Sequence, residues 1–258
     1  MINRKLISRR HWLAAVMGTA TTAALAQGPA AGGGSYGVVS EAAHEIALVG
    51  ATSNLGTRLG NTLRRSIPLQ SGSLDTAALW AARDALRQSA PQAPVWLVAP
   101  TTDTLFDAHQ HFAEGAAITI PADLAQGLHE NRCSQLLLFT RDRGPAALAT
   151  SNTTEGEGTL EGVGLYVDNV TALRTVGSAD EGVGFVAAYA YLRASLIDAA
   201  SGRLVRTRTH AQGYVLAHAD GIGAVSAWDA VSPEAKAQAL SRLLKQGVQA
   251  LVAPLLAA

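Results

Sequence analysis

Cysteine is almost missing from this chain. Of 258 residues only Cys133 carries a thiol, so no disulfide can form within one molecule and its core has to hold the fold. Aromatics are sparse, at 5%, and charged residues make up 16%. The formal net charge is zero, but Arg4, Lys5, Arg9 and Arg10 precede every acidic residue. Without those four the basic residues fall from 20 to 16 against 20 acidic, a net of −4. No cluster of Lys and Arg interleaved with aromatics remains, which excludes a surface built for phosphate backbones. No apolar run after residue 26 is long enough to span a bilayer.

Small apolar residues are abundant instead. The chain is 48% hydrophobic, enough at this length to bury a sizeable core. Its first 26 residues have three parts: a basic head, an apolar middle from Trp12 to Leu25, and the small-residue exit Ala24-Leu25-Ala26. Together they form a secretory signal, cleaved between Ala26 and Gln27. The segment Ser8-Arg9-Arg10-His11-Trp12-Leu13 resembles the twin-arginine export motif, with Trp12 in place of Phe and Ala14 in place of Lys. The resemblance implies passage through the twin-arginine translocase, a periplasmic location and a chain folded before export. A general secretory signal and an uncleaved anchor are the alternatives. No Cys near the cleavage site offers a lipid anchor.

Residues 27–40, with Gly32-Gly33-Gly34, read as a flexible lead-in, and residues 41–258 as one domain without repeats or linkers. Glu45 to Gly50 reads as a strand. Arg58 to Ile67 is ambiguous between strand and helix. Leu74 to Gln88 has helical spacing after Ser73, and Val95 to Val98 reads as a central strand. Thr102 to Phe112, and Pro121 to about Arg132, are expected helices, with a short strand at 118–120 between them. Leu136 to Thr140 is a buried-strand pattern, 150–158 a mobile loop, and Thr159 to Asp168 a strand weakened by Gly162 and Gly164. Ser232-Pro233-Glu234 starts a helix whose stripe is Leu240, Leu243, Leu244, Val248, Leu251 and Val252, with Pro254 ending it.

The chain is organised around Gly182 to Ala217, an expected hairpin. Val186, Ala188, Ala190, Leu192, Ala194 and Leu196 share one apolar face, and Phe185, Tyr189, Tyr191, Arg193 and Ser195 share an amphipathic one. Asp198 to Arg203 supplies the turn, with Gly202 at positive φ. Alternating helices and strands, then strands in series, then one helix predict an α+β fold. Its sheet is mixed and largely antiparallel, carries a long hairpin in the C-terminal half, and has helices packed on it.

Chemistry is harder to find. Gly50-Ala51-Thr52-Ser53-Asn54-Leu55-Gly56 follows a strand and resembles the phosphate-binding turn of atypical short-chain dehydrogenases, which implies a nucleotide at Gly50, Ser53 and Gly56. Ser53 replaces the middle glycine, and no Tyr-x-x-x-Lys pair exists. The alternative is a strand followed by a turn. His129 and Cys133 would share a helix face and chelate one metal, with His109, His111 and Glu130 nearby; helix-end polar residues and a buried Cys are the alternative. Asp180, Glu181, Glu155, Glu157 and Glu161 read as solvated loop acids rather than paired catalytic carboxylates. Tyr189, Tyr191 and Arg193 read as packing under a helix with their polar tips exposed. No catalytic residue and no cofactor is assigned.

Leu196 to Val205, Leu-Ile-Asp-Ala-Ala-Ser-Gly-Arg-Leu-Val, resembles a phrase of bacterial envelope proteins. With the early strand and late helix it resembles the α/β modules of the curli-secretion lipoprotein, the TolB N-terminal domain and the penicillin-binding-protein activators. The resemblance implies a non-enzymatic, exported protein that binds another envelope component and does not span the membrane. The rivals are an exported nucleotide-dependent oxidoreductase and a metal-binding protein.

Overall fold

The computed structural model describes residues 34–51, 63–69, 73–98, 114–150, 153–174, 181–218 and 226–257. In chain order the elements are β1 (Tyr36–Ser40), β2 (Glu45–Ala51), β3 (Leu63–Pro68), α1 (Ser73–Ser89), β4 (Val95–Val98), α2 (Ala122–Glu130) and β5 (Gln135–Arg141). There follow β6 (Arg143–Pro145), β7 (Leu148–Ala149), β8 (Thr154–Glu155), β9 (Thr159–Arg174), β10 (Glu181–Asp198), β11 (Leu204–His218) and α3 (Pro233–Leu256). The expected helix at Thr102–Phe112 lies outside the described residues, as does the signal segment.

Strand β10 is the axis. One of its edges pairs antiparallel with β11 along almost its whole length. The other edge is shared: Glu181 to Tyr191 pair with β9, and Leu192 to Asp198 pair with β5. Beyond β9 the sheet continues through β2 to β3, and beyond β11 through β7 to β8. Beyond β5 lies a parallel trio with β1 between β5 and β4. The sheet is therefore mixed, with antiparallel ribbons at its centre, and the architecture is α+β.

The reason lies in residue type. Alanines at 188, 190 and 194 keep one face of β10 shallow, and α3 packs there with Leu240, Leu243, Leu244, Val248 and Val252 buried. A Cβ on Gly247 would lie 2.7 Å from Leu192 Cδ1, so this glycine allows the close crossing. Helix α1 shares the layer through Leu79, Ala82 and Leu86. Ser232 Oγ accepts from Ala235 N at 3.2 Å and opens α3, while Arg206 Nη1 donates to Leu255 O and Ala257 O at the negative end of its dipole. Burying each of these leucines stabilises by roughly 1.5–3 kcal/mol.

The opposite face holds two clusters. Leu136, Leu138, Ile197 and Leu204 pack with Leu124 and Leu128 of α2. Tyr166, Phe185, Tyr189 and Tyr191 pack with Leu148 and Leu160. These aromatics are fully buried, in contact with residues of the 143–160 segment instead of under a helix with exposed tips. Three glycines make room: Tyr189 lies opposite Gly164 and Gly213, and Tyr191 opposite Gly162. The hairpin turn forms as expected, with Asp198 Oδ1 accepting from Ser201 N at 2.8 Å and Ser201 Oγ at 2.6 Å, and with Gly202 at φ 67°.

Several expectations need correction. Strand β1 occupies the end of the stretch read as a 27–40 lead-in; its five residues are all buried between β4 and β5. Val95–Val98 is not central: among the described residues it pairs only with β1. Within the ambiguous Arg58–Ile67, residues 63–67 belong to strand β3, and the rest lie outside the described residues. Residues 118–120 make no strand; the one bridge is Ala117 with Arg203. Pro121 caps α2 rather than entering it, and α2 stops at Glu130. The 150–158 stretch, of which 151 and 152 are outside the described residues, contributes β8, which pairs with β7. Pro254 sits inside α3, where only the last turn follows it.

A Cβ at Gly164 would fall 2.2 Å from Ala47 O and 2.5 Å from Tyr189 Oη, whereas one at Gly50 meets nothing nearer than 3.9 Å. Gly164→Ala is expected to destabilise by about 2 kcal/mol or more and Gly50→Ala to stay within about 1 kcal/mol, both read by urea denaturation.

Candidate functional site: a charged seam and an open sheet edge

Where β5 ends and β9 begins along β10, the backbone is stitched by Asp142 N to Tyr191 O at 2.9 Å and Gly162 N to Asp142 O at 3.0 Å. Two ion pairs flank this seam. Arg193 Nη2 meets Asp142 Oδ1 at 2.6 Å, and Arg141 Nη1 pairs with Glu45 Oε1. All four side chains are largely withdrawn from water, so each pair answers its partner's desolvation. Nearby, Ser40 Oγ donates to Asp75 Oδ1 at 2.6 Å and Ala43 N donates to the same oxygen at 3.1 Å. Asp75, at the start of α1, thereby fixes the loop from β1 to β2. Burial pushes its carboxyl above the ordinary carboxylate range, opposed by the Ser40 and backbone hydrogen bonds and by His44. Ser40 and Asp75 are both buried.

The tyrosine cluster is sealed in the same way. Tyr191 Oη donates to Pro145 O at 2.8 Å and accepts from Ala147 N at 3.1 Å. Tyr166 Oη accepts from Glu157 N at 3.0 Å. Tyr189 Oη is buried, with no hydrogen-bond partner among the described residues, near the Arg64–Glu161 ion pair of 3.2 Å. Burial raises the pKa of all three phenols. They remain neutral packing groups.

The residues singled out in sequence are dispersed. Gly50 lies within β2, while Ser53 and Gly56 fall outside the described residues. Beyond them the chain returns as β3, antiparallel to β2 with Gly50 opposite Leu63. Residues 52–62 between the two strands lie outside the described residues. His129 is in the last turn of α2, but Cys133 lies beyond the helix, after Arg132 at φ 52°. Cys133 packs beside the α2 cluster, and burial raises its thiol pKa. Among the described residues no group of three or more His, Cys, Asp or Glu is placed to hold a metal. His109, His111, Asp180 and the signal residues Ser8, Arg9, Arg10, Trp12, Leu13, Ala26 and Gln27 lie outside the described residues. Glu161 is buried and ion-paired instead of solvated, and Glu181 opens β10. Arg193 is tied to Asp142 at the seam.

Binding through a sheet edge or a helix surface was the sequence expectation, but which strand forms the edge was not identified. All six residues of β3 are exposed, and among the described residues it pairs only with β2. Leu63 is 69% exposed and Ile67 43%. Arg65 lies between them, and no ion pair engages it among the described residues. The signal was the strand alternation of Leu63-Arg64-Arg65-Ser66-Ile67, hidden by the helical reading of the same stretch.

A raised acid pKa means the folded state takes up a proton before the unfolded state does. Asp75 therefore adds stability below the ordinary value of 3.8, and loses it as pH rises through the folded pKa. Asp75→Asn keeps an acceptor oxygen and lacks this titration. The stability of the native protein minus that of the variant is expected to rise as pH falls from neutrality to about 4; a flat or falling difference in urea melts refutes it. For the phenols, Tyr189→Phe removes an unpartnered hydroxyl and should leave stability unchanged or raised. Tyr191→Phe strands two bonds and should cost about 1–2 kcal/mol.

No protein-family model matches the chain, and comparison with characterised proteins returns no match. Solved structures similar to it include the PelC dodecamer from Paraburkholderia phytofirmans, at 14% identity over 90% of this chain and 94% of that one, TM-score 0.34. Another is a DUF330-family protein from Xanthomonas campestris, at 13% identity over 89% of this chain and 88% of that one, TM-score 0.37. At this level of likeness the chemistry has to be read from the chain's own residues.

Proposed function

We propose that this chain is an exported, periplasmic, non-enzymatic protein of the bacterial cell envelope that holds a partner chain along its open edge strand β3. The observation that carries this reading is β3 itself: a six-residue strand exposed throughout, with two large apolar side chains in water and, among the described residues, no strand on its outer edge. An unpaired strand edge is a template for another strand, and exposed apolar surface beside it marks a contact site. Two further supports come from sequence. The amino-terminal segment has the parts of an export signal and resembles the twin-arginine type, which makes the translocase a partner during export. The turn phrase at 196–205 resembles that of envelope modules that bind partners. No described helix is long and apolar enough to cross a membrane.

The two ion pairs of the seam, Arg141 with Glu45 and Arg193 with Asp142, agree with a structural use of charge there.

A photo-reactive residue placed at Ile67 in the full-length chain, expressed in a Gram-negative host, is expected to form a covalent adduct in the periplasmic fraction. The same residue at Leu243, buried within α3, should form none. Absence of any adduct at position 67 removes the reading.

A further inference from the structure

The chemistry of β3 restricts what can lie against it. Its sequence is Leu-Arg-Arg-Ser-Ile-Pro. Leu63, Arg65 and Ile67 stand opposite Gly50, Leu48 and Ile46, on the face where Ile46 and Leu48 meet the helix-layer core. Arg64, on the other face, is tied to Glu161. Pairing β3 with β3 of a second molecule would bring arginines close to arginines, which is unfavourable for directly opposed strands. The edge disfavours its own likeness and selects an acidic strand.

This chain carries two acids, Glu155 and Glu157, at the opposite end of the same sheet. The path of pairing runs β3-β2-β9-β10-β11-β7-β8, so β3 and β8 are its two ends. Strand β8 is Thr154–Glu155, flanked by Thr153 and, past Gly156, by Glu157. Thr153, Thr154 and Glu157 are exposed. The sheet is basic at one end and acidic at the other.

We propose that the occupant of β3 is the β8 edge of a second copy of this chain, giving a head-to-tail sheet across molecules with Arg65 facing Glu155 and Glu157. The contact is heterologous, so each copy keeps one end open and assembly proceeds beyond two until it closes on itself or extends. The inference rests on β3 being the docking edge and names the chain that docks there.

The test uses the exported protein and two surface variants, in sedimentation velocity at low and high salt. The native protein is expected to associate at low salt and to dissociate as salt rises. Arg65→Glu alone, and Glu155→Arg with Glu157→Arg together, should each weaken association about tenfold. Mixing the two variants should restore it, because every contact then joins opposite charges, while each variant alone joins like charges. A native protein that stays monomeric, variants that associate like the native protein, or a mixture that fails to recover each overturns the inference. Flotation of a monomeric native protein with phosphatidylglycerol vesicles, lost in Arg65→Glu, also overturns it in favour of an anionic lipid surface. An Ile67 adduct twice the chain's mass fits a second copy. An adduct of another mass leaves the docking reading standing and overturns this one alone.

Discussion

Strand β10 has to be satisfied on four sides at once, and the rest of the molecule is arranged to do so. It is buried on both faces from Phe185 to Leu192, so none of its backbone groups there can turn to water. Strand β11 answers one edge. No single strand answers the other, and β9 and β5 divide it at Tyr191 and Leu192. A divided edge leaves a gap where two strand ends meet, and polar groups gather there to close it. The Arg141–Glu45 and Arg193–Asp142 pairs sit at that gap because charged side chains can reach around strand ends that apolar ones would leave open.

The two faces of β10 are closed by opposite means. On the helix side the strand offers alanines and lets the helices bring the bulk. On the other side the strand brings tyrosines and its neighbours offer glycines. Each arrangement fills the layer at close packing. The second also carries polar hydroxyls inward, and two of the three find backbone partners in residues 145–157. The small strands there are thus held by the core they cover. Lys236 plays a related part in the helix layer, donating to Trp228 O at 2.6 Å and lying 3.8 Å over the Trp228 ring, which ties the stretch before α3 to its first turn.

Legibility in the sequence followed range. The hairpin, its Asp198–Gly202 turn, helix α1 and the Ser232 start of α3 are local patterns, and they could be read as such. The α+β class followed from their order. Strand β1 could not be read, because five residues with one aromatic and a glycine carry little alternation of their own; their burial comes from β4 and β5, far along the chain. Glycines 162 and 164 read as weaknesses because the tyrosines that need the space lie on another strand. Asp75 stands at the start of α1, but its bonds to Ser40 and Ala43 depend on a loop that only the fold brings near. The open edge was obscured by Arg58–Ile67 fitting both periods over a short window.

The parallel pairings have a consequence for how the molecule comes into being. Ala47 lies beside Gly164, and Tyr36 beside Gln135. A ribosome delivers β1 and β2 early and β5 and β9 late, so one edge of each of these first strands must wait for a partner not yet synthesised. Contacts so distant along the chain slow folding and prolong exposure of apolar segments. Antiparallel β9, β10 and β11, adjacent in sequence, are the natural place for order to begin, with the amino-terminal strands added to a ribbon already formed.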